Sequence, residues 1–255
     1  MRLVSTRSEI RQILDSKAKS KIGFVPTMGA LHEGHLSLVK RSMDSSDITV
    51  VSIFVNPTQF NSIDDLEKYP RTPEKDIELL SGQLGSEDIL FMPEENEVYS
   101  NEKPLTVDLG SLDLVMEGMF RPGHFEGVVR VVSILFDIVQ PGIAFFGEKD
   151  FQQLTIIKRM AEQTHPSIVI EGCPIHREQN GLAMSSRNSR LGSETREKAS
   201  VIYQTLKEHS VIKAGSTIES VTGSVKARID STPGFRTEYF EIVDDVELKR
   251  LESTG

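Results

Sequence analysis

The sequence contains a single cysteine, Cys173, among its 255 residues. One cysteine cannot form a disulfide within the chain, so internal covalent cross-links are excluded as a source of stability. No apolar run is long enough to span a bilayer, and residues 1–7 lack the long apolar core of a secretory signal. We therefore expect a cytoplasmic protein that has no membrane partner.

Positive charge is also scarce, because 29 Lys and Arg stand against 38 Asp and Glu and give a net charge of -9. An extended polyanion such as nucleic acid is therefore not expected as a partner. A small anionic substrate is compatible with this balance, because the charge within a cleft decides its binding.

Short apolar strands alternate with amphipathic helices from Ile22 to Ile170. This alternation predicts an α/β fold with a doubly wound, Rossmann-like parallel sheet. The composition changes after Pro174, which predicts a first domain over residues 1–175 and a smaller α+β domain over 176–255. In the second domain we expect helices near 193–209 and 217–229 and a strand near 236–243.

The central stretch of the sequence is VPTMGALHEGH (25–35), which lies between an apolar strand pattern and a helix pattern. Gly29 and Gly34 allow a sharp turn, and the free N–H groups of the following helix start favour an anion. His32 and His35 are three residues apart and share one face of the first turn. This arrangement suits a polyphosphate, but surface histidines in a loop are an equal alternative. A metal pair is less favoured because no further ligands are apparent.

Other polar segments follow predicted strands, where the ligand crevice of an open α/β sheet lies. Residues 56–60 follow the strand predicted over 48–55, although an Asn-Pro turn is a sufficient explanation of that dipeptide. Lys149 precedes a helix and is well placed to meet phosphate, although a solvated loop lysine is the common alternative. A glycine-rich loop over 117–125 carries Arg121 and His124.

The order of these motifs resembles the His-x-Gly-His class of adenylate-forming nucleotidyltransferases, with AMSSR (183–187) similar to its second signature. Within that class the chain resembles the pantoate–β-alanine ligase (pantothenate synthetase) family from about residue 22 to 191. The segments that carry the resemblance are PTMGALHEGH (26–35), FVNPTQF (54–60), YPRT (69–72), RPGHF (121–125), FGEKD (146–150) and SSRN (185–188). The last third matches only loosely, through YFEIV (239–243).

The resemblance implies a ligase that works in two steps. The carboxylate of pantoate attacks the α-phosphate of ATP, which gives pantoyl adenylate and pyrophosphate. The amine of β-alanine then attacks the acyl carbon, which gives pantothenate and AMP. Because the first step spreads charge over the triphosphate, hydrogen-bond donors must be fixed in place beforehand.

The same resemblance implies site residues, in which His32, His35, Lys149 and Arg187 are catalytic and His35 acts as an acid. Gln59 and Gln153 would bind pantoate, and Gln59 would also bind β-alanine. The ATP contacts would be Met28, Gly29, Ala30, Leu31, His32, Glu33, Gly34, His35, Gly147, Glu148, Lys149, Asp150, His176, Met184, Ser185, Ser186 and Arg187. Mg²⁺ is expected on the ATP phosphates with no protein ligand, no tightly bound organic cofactor is expected, and a homodimer is expected.

The chain departs from the family pattern at three places. Thr58 replaces a larger apolar residue and is expected to change the pocket wall. Lys75 and Asp76 stand where some relatives have two acids near magnesium, which leaves a contact of Asp76 with the metal open. The chain also ends at Gly255, earlier than expected, so we expect a trimmed or rearranged small domain.

Two other functions are compatible with these motifs. Another adenylate-forming enzyme of the same superfamily, such as a cytidylyltransferase or a fragment of an aminoacyl-tRNA synthetase, would share the phosphate motifs but accept a different group. The acidic balance and the lack of a visible anticodon-binding region disfavour tRNA. A non-catalytic nucleotide-binding or scaffold protein would keep the fold, but the intact His32, His35, Lys149 and Arg187 disfavour it.

Overall fold

A computed structural model describes residues 1–100, 102, 104–212 and 215–252. Its core is one sheet of six parallel strands in the order β1-β4-β3-β2-β5-β6. The strands are β1 (Arg2–Val4), β2 (Ile22–Thr27), β3 (Ile48–Ile53), β4 (Ile89–Phe91), β5 (Ile143–Gly147) and β6 (Val169–Cys173). The predicted parallel α/β sheet is therefore confirmed.

The helices of the first part of the chain are α1 (Arg7–Asp15), α2 (Glu33–Ser45), α3 (Ile63–Glu67), α4 (Pro73–Ser81), α5 (Glu95–Tyr99), α6 (Glu117–Phe120), α7 (His124–Val139) and α8 (Phe151–Thr164). Three more follow, α9 (Ser193–Lys198), α10 (Ser200–Glu208) and α11 (Ile218–Asp230). None of the helices in the described ranges has the length and apolar character needed to cross a bilayer.

Helices cover both faces of the sheet, which explains why its inner strands β2, β3, β4 and β5 are largely buried and mostly apolar rather than alternating. Neighbouring side chains of a strand point to opposite faces, and Phe24 and Val25 of β2 accordingly belong to two separate apolar clusters. Phe24 packs in the cluster that includes α1, α7 and α8, and Val25 packs in the cluster that includes α2 and α4. Both side chains are fully buried.

The helix starts follow the local sequence signals. The sequence TRSE (6–9) has the form of a capping box. In the structure the N–H of Glu9 donates to the Thr6 hydroxyl at 3.2 Å, and the N–H of Thr6 donates to the Glu9 carboxylate at 3.1 Å. Pro73 occupies the first turn of α4, where its missing N–H is not needed.

The order of the strands places the crevice of the sheet. The chain builds outward from β2 through β3 and β4, and then returns to the other side of β2 with β5 and β6. Such a reversal leaves a cleft beyond the carboxyl ends of the strands on either side of it. The segments that follow β2, β3 and β5 therefore meet at one place.

The strand predicted near 236–243 is wrong. Among the described residues after Cys173, the β pairing consists of two isolated bridges, Arg177 with Ala183 and Val243 with Arg250. A strand needs a neighbour to satisfy its main chain, and here the pairing is limited to the end of the segment, where the N–H of Leu251 donates to the carbonyl of Ile242 at 3.0 Å. Tyr239 instead stacks on Phe120, with ring centroids 4.8 Å apart.

The predicted helix over 193–209 is present in two pieces, α9 and α10, which meet at Ala199. The helix predicted over 217–229 is confirmed as α11, which begins with a capping box of Thr217 and Ser220.

Candidate active site

The cleft at the sheet reversal encloses a cavity of about 260 Å³. Most of the residues predicted for the site lie along its walls: Met28, His32, Gly34, His35, Gln59, Gly147, Lys149, Asp150, Gln153, His176, Met184, Ser185, Ser186 and Arg187. Five predicted ATP contacts are not among the lining residues, namely Gly29, Ala30, Leu31, Glu33 and Glu148. Segments far apart in the sequence are therefore brought to one cavity.

The turn between β2 and α2 is held by a buried carboxylate. Asp76 accepts hydrogen bonds from the N–H groups of Ala30 at 2.9 Å and Leu31 at 2.8 Å, and from the Thr72 hydroxyl at 3.2 Å. Gly29 and Ala30 both have positive φ, of 78° and 49°. A Cβ on Gly29 would lie 3.0 Å from the Asp76 carboxylate, so glycine allows this close approach.

These contacts answer the question of Asp76 and a metal ion. Both of its oxygens already accept hydrogen bonds from protein groups, and its side chain is buried. Asp76 therefore does not fit the role of a magnesium ligand, and Gly29, Ala30 and Leu31 support the site through the turn instead of lining the cavity. Within the described part of the chain, no group of three His, Cys, Asp or Glu side chains could hold a metal ion.

The two histidines lie against each other at the start of α2, with ring centroids 4.0 Å apart. The main-chain N–H of His32 donates to Nδ1 of His35 at 3.3 Å. Because Nδ1 accepts, a neutral His35 carries its proton on Nε2. Gly34 leaves room for the ring of His32, since a Cβ there would lie 2.9 Å from Cε1 of that ring.

Burial keeps both imidazoles uncharged. Burial is the main cause that lowers the pKa of His35 to about 3, and repulsion by a protonated His32 and by the charge of Lys149 lowers it as well. Burial is also the main cause that lowers the pKa of His32, followed by the charge of Lys149. Nδ1 of His32 is buried and has no hydrogen-bond partner among the described residues. The pair therefore offers neutral donors and acceptors to a ligand.

Lys149 reaches the cleft from a short 3₁₀ helix, Glu148–Asp150, which directly follows β5. Its ammonium group lies 2.7 Å from the Asp150 carboxylate. A Cβ on Gly147 would meet no atom within 4 Å, so the backbone at the strand end is open to a ligand. The side chain of Glu148 is exposed and is not among the lining residues.

The loop of the second signature contacts the first part of the chain. The hydroxyl of Ser186 donates to the carbonyl of Ala30 at 2.9 Å. Arg187 and Arg190 both bind the carboxylate of Asp65 on α3, at 2.8 and 3.2 Å, and the guanidinium of Arg187 lies 5.2 Å from the ring centroid of Tyr69. Hydrogen bonding to Arg187 is the main cause that lowers the pKa of Asp65.

The two predicted glutamines contribute neutral polar groups. Gln59 is buried. Its side-chain oxygen Oε1 accepts from the amide of Asn56 at 3.0 Å, and its side-chain nitrogen Nε2 lies 3.2 Å from the sulfur of Met28. Gln153 lines the cleft, whereas its neighbour Gln152 is buried in the fold and donates to the carbonyls of residues 112 and 115.

Thr58 does not form the pocket wall as expected. Its hydroxyl donates to the side-chain oxygen of Asn56 at 3.0 Å, and it is absent from the residues that line the cleft. Close packing fixes this turn, because a Cβ on Gly127 of α7 would lie 2.5 Å from the carbonyl oxygen of Thr58.

The residues that the sequence missed are joined to the site by long-range contacts. Arg121 and His124 line the cleft, and Nδ1 of His124 donates to the carbonyl of Gln59 at 2.7 Å. The sequence analysis noted both residues in the glycine-rich loop, but the sequence did not indicate which groups they contact. Asp65 and Asp76 belong to acidic helix segments that look like solvated surface, and no local pattern distinguishes them.

Comparisons with known proteins extend over almost the whole chain. The sequence profile of the family described as Pantoate-beta-alanine ligase matches residues 2–254. A pantothenate synthetase of Bacteroides thetaiotaomicron is 52% identical over 233 residues, which are 91% of this chain and 82% of the relative.

Solved structures agree with that similarity. The pantothenate synthetase of Thermus thermophilus is 40% identical and superposes with a TM-score of 0.89, covering 100% of this chain and 91% of that one. The pantoate-beta-alanine ligase of Francisella tularensis, complexed with β-γ ATP and β-alanine, is 36% identical with a TM-score of 0.77, covering 90% and 86%.

Proposed function

The chain belongs to the pantoate–β-alanine ligase family, and we propose that it condenses (R)-pantoate with β-alanine in an ATP-dependent reaction, through pantoyl adenylate. One observation carries the proposal: neutral histidines, a lysine, an arginine loop and two glutamine amides line a single cleft. Charged donors suit a triphosphate, and amides suit the hydroxyl groups of a hydroxy acid. The products are pantothenate, AMP and pyrophosphate.

In the first step a carboxylate oxygen of pantoate attacks the α-phosphorus of ATP, and the bond to the bridging oxygen of pyrophosphate breaks. Lys149, Ser185, Ser186 and Arg187 would neutralise the charge on the phosphate oxygens. His35 would donate a hydrogen bond through Nε2–H, because its Nδ1 is occupied by the main chain. A bound triphosphate raises the pKa of an adjacent imidazole, which would bring His35 toward the acid role.

In the second step the neutral amine of β-alanine attacks the acyl carbon of pantoyl adenylate. The carbon–nitrogen bond forms, the carbon–oxygen bond to AMP breaks, and the amine releases its proton. Gln59 and Gln153 would hold the pantoyl group during both steps. Water competes with the amine for the adenylate, so closure of the cleft favours the ligation.

Magnesium is proposed to bind ATP phosphate oxygens, which is the usual arrangement for this hard cation. The occupied oxygens of Asp76 support a metal held by the substrate, since that carboxylate is committed to the turn at Ala30 and Leu31. The ion would add positive charge beside the leaving pyrophosphate. No tightly bound organic cofactor is required by this chemistry.

We propose that residues 1–175 form the ATP- and pantoate-binding domain and that residues 176–255 act as a smaller lid domain. The contacts of Ser186 with Ala30 and of Arg187 with Asp65 support the lid role, because they join the loop 183–190 to the first part of the chain. A cytoplasmic homodimer is proposed from the family resemblance. Light scattering of the purified protein tests the dimer, and a mass of one chain would contradict it.

Exchange of pyrophosphate into ATP tests the function directly. We expect exchange that depends on pantoate and needs no β-alanine, because the first step is reversible. Exchange that instead depends on amino acids would identify a different adenylate-forming enzyme. Binding of ATP without any exchange would identify a non-catalytic nucleotide-binding protein.

A further inference from the structure

Three lining residues of the cleft carry a permanent positive charge: Lys149, Arg187 and Arg121. Lys149 and Arg187 belong to the segments proposed to bind ATP. Arg121 caps the end of α6, outside those segments, and its hydrogen-bond partners are Asn61, Glu117 and His124. Arg121 has no role in the mechanism proposed above for the reaction of ATP with pantoate.

Several contacts hold the guanidinium of Arg121 in one orientation. Its Nε–H donates to the side-chain oxygen of Asn61 at 3.3 Å, and Nη1 donates to the carboxylate of Glu117 at 3.2 Å. The other oxygen of Glu117 accepts from the hydroxyl of Tyr239 at 3.1 Å. Among the described residues, Nη2 of Arg121 has no hydrogen-bond partner. The Nε and Nη1 side of the guanidinium is therefore held by protein groups, and Nη2 is available to bind a ligand.

His124 links this cation to the substrate-binding turn. Its Nδ1 must donate to the carbonyl of Gln59, because a carbonyl oxygen only accepts, so Nε2 carries the lone pair. Nε2 faces Nη1 of Arg121 at 3.5 Å. Burial is the main cause that lowers the pKa of His124, so Nε2 stays unprotonated and can accept from Arg121. Arg121 is thereby oriented beside Gln59, which is proposed to bind both acyl substrates.

Both acyl substrates, pantoate and β-alanine, carry a carboxylate, and the chemistry of the reaction indicates which of the two suits Arg121. The carboxylate of pantoate is the nucleophile of the first step, so it must face the α-phosphate, and it loses its charge on adenylation. The carboxylate of β-alanine takes no part in bond formation and keeps its charge throughout. A fixed cation that is linked through His124 to Gln59, and that lies outside the segments proposed to bind ATP, suits the second carboxylate.

We propose that Arg121 binds the carboxylate of β-alanine and thereby selects an amino acid over an uncharged amine as the acceptor, while His124 positions Arg121. This inference rests on the proposed function. The available Nη2 edge matches the planar geometry in which arginine binds carboxylates. The amine would then be directed toward the acyl carbon of the adenylate.

Substrate discrimination provides the test. The rate of ligation is measured with β-alanine and with its neutral amide, 3-aminopropanamide, for the wild type and for Arg121→Gln and Arg121→Lys. In the wild type we expect a strong preference for β-alanine. In Arg121→Gln we expect kcat/KM for β-alanine to fall about 10- to 100-fold, as for a lost hydrogen bond to a charged group, and kcat/KM for the amide to change by less than about threefold. Arg121→Lys keeps the charge and should retain part of the preference.

The matched control is Arg130→Gln, because Arg130 lies on α7, binds Glu102 and does not line the cleft. It should keep the wild-type preference. Pantoate-dependent exchange of pyrophosphate should be unchanged in Arg121→Gln, and its loss would assign Arg121 to pantoate or ATP instead. An equal fall with both amines, or a wild type without preference, would overturn the inference while leaving the ligase intact. Absence of pantoate-dependent exchange in the wild type would instead overturn the proposed function.

Discussion

The main-chain N–H of His32 donates a hydrogen bond to Nδ1 of His35 across a distance of 3.3 Å. This contact settles the tautomer of a neutral His35, in which the proton resides on Nε2. A side chain at the start of a helix thus presents a fixed donor to an anion, beside the partial positive charge of the helix terminus. The predictions for His35 follow from this arrangement.

Replacement of His35 by alanine is predicted to slow formation of pantoyl adenylate by roughly 10²–10³-fold, the usual effect of losing one preorganised donor. Single-turnover quench measurements with ATP and pantoate give this rate. His209→Ala is the control, because His209 binds Ser224 within the small domain and does not line the cleft. An unchanged adenylation rate in folded His35→Ala would remove this residue from the mechanism.

The low pKa of His35 predicts how stability depends on pH. The pKa is about 3 in the folded chain and about 6.5 when unfolded, so protons bind the unfolded state preferentially between these values. The contribution of His35 is therefore present above pH 6.5 and declines as the pH falls toward 3. The expected slope is about 1.4 kcal/mol per pH unit.

Urea unfolding of the wild type and His35→Gln at neutral pH and near pH 5 measures this contribution. Glutamine cannot be protonated in that range, so the mutant should lose about 1.4 kcal/mol less stability per pH unit than the wild type. Parallel pH dependence of the two proteins would show that His35 titrates normally in the folded state.

Neighbouring glutamines at the start of α8 provide a matched pair for pantoate binding. Gln153→Ala is predicted to weaken the binding of pantoate by about 1–3 kcal/mol with little effect on the binding of ATP, because the proposed hydrogen bond between this half-buried side chain and pantoate is lost. Gln152→Ala should instead lower the free energy of unfolding, because Gln152 binds the carbonyls of Leu112 and Val115. Calorimetric titration with each ligand distinguishes them, and equal losses for ATP and pantoate in Gln153→Ala would refute the assignment.

Asp76→Asn is predicted to weaken ATP without altering the requirement for magnesium. Asp76 accepts the Ala30 N–H with one carboxylate oxygen and the Leu31 N–H with the other. In asparagine an NH₂ group replaces one of these oxygens, so one of the two hydrogen bonds is lost. Loss of one buried hydrogen bond costs about 1–3 kcal/mol. The turn at Ala30 and Leu31, and with it the adjacent histidines, would then be held less firmly. Glu78→Gln, an exposed change on the same helix, is the control.

Titration of the adenylation rate with Mg²⁺ provides the discriminating measurement for Asp76→Asn. We expect the concentration of Mg²⁺ for half-maximal rate to stay unchanged, at saturating ATP. A large increase in that concentration would make Asp76 a ligand of the metal after all.

Local patterns predicted the parts of the molecule whose signals are continuous in sequence. The buried strands from Ile22 onward, the capping box at Thr6 and the strand–turn–helix around His32 all follow from residues close to one another. The first strand, Arg2–Val4, was missed because three residues are too short to show a period. The strand expected near 236–243 failed because strand formation depends on a neighbour, which no local pattern reveals.

The same distinction applies to the candidate site. The resemblance to a family identified the segments that meet at the cleft, whereas the contacts that orient them join distant residues. Asp76 reaches back to Leu31, and Asp65 reaches forward to Arg187. Pairing at such separations is a property of the folded chain, so the sequence could not show that Asp76 holds a turn or that Asp65 binds the loop.

The contact of Asp65 with Arg187 and Arg190 leads to a prediction about the lid. A carboxylate holds two cations of the loop 183–190 in the absence of nucleotide, and ATP phosphates must compete with it for Arg187. Asp65→Asn removes that competition, so ATP should bind about two- to fivefold more tightly, in proportion to the modest strength of partly exposed ion pairs. Asp64→Asn is the control, because Asp64 is exposed and its ion pair is with Lys68, which caps the end of α3.

Hydrogen exchange of residues 183–190 reports how the loop responds. In the wild type, ATP should protect the loop, because bound phosphates replace Asp65 as the partner of Arg187 and compensate the entropy of ordering. Asp65→Asn should exchange faster than the wild type without ATP and equally with it, while Arg187→Ala should lose most of the protection by ATP. Exchange that is the same with and without nucleotide in all three proteins would show that the loop is preformed and that the small domain does not act as a lid.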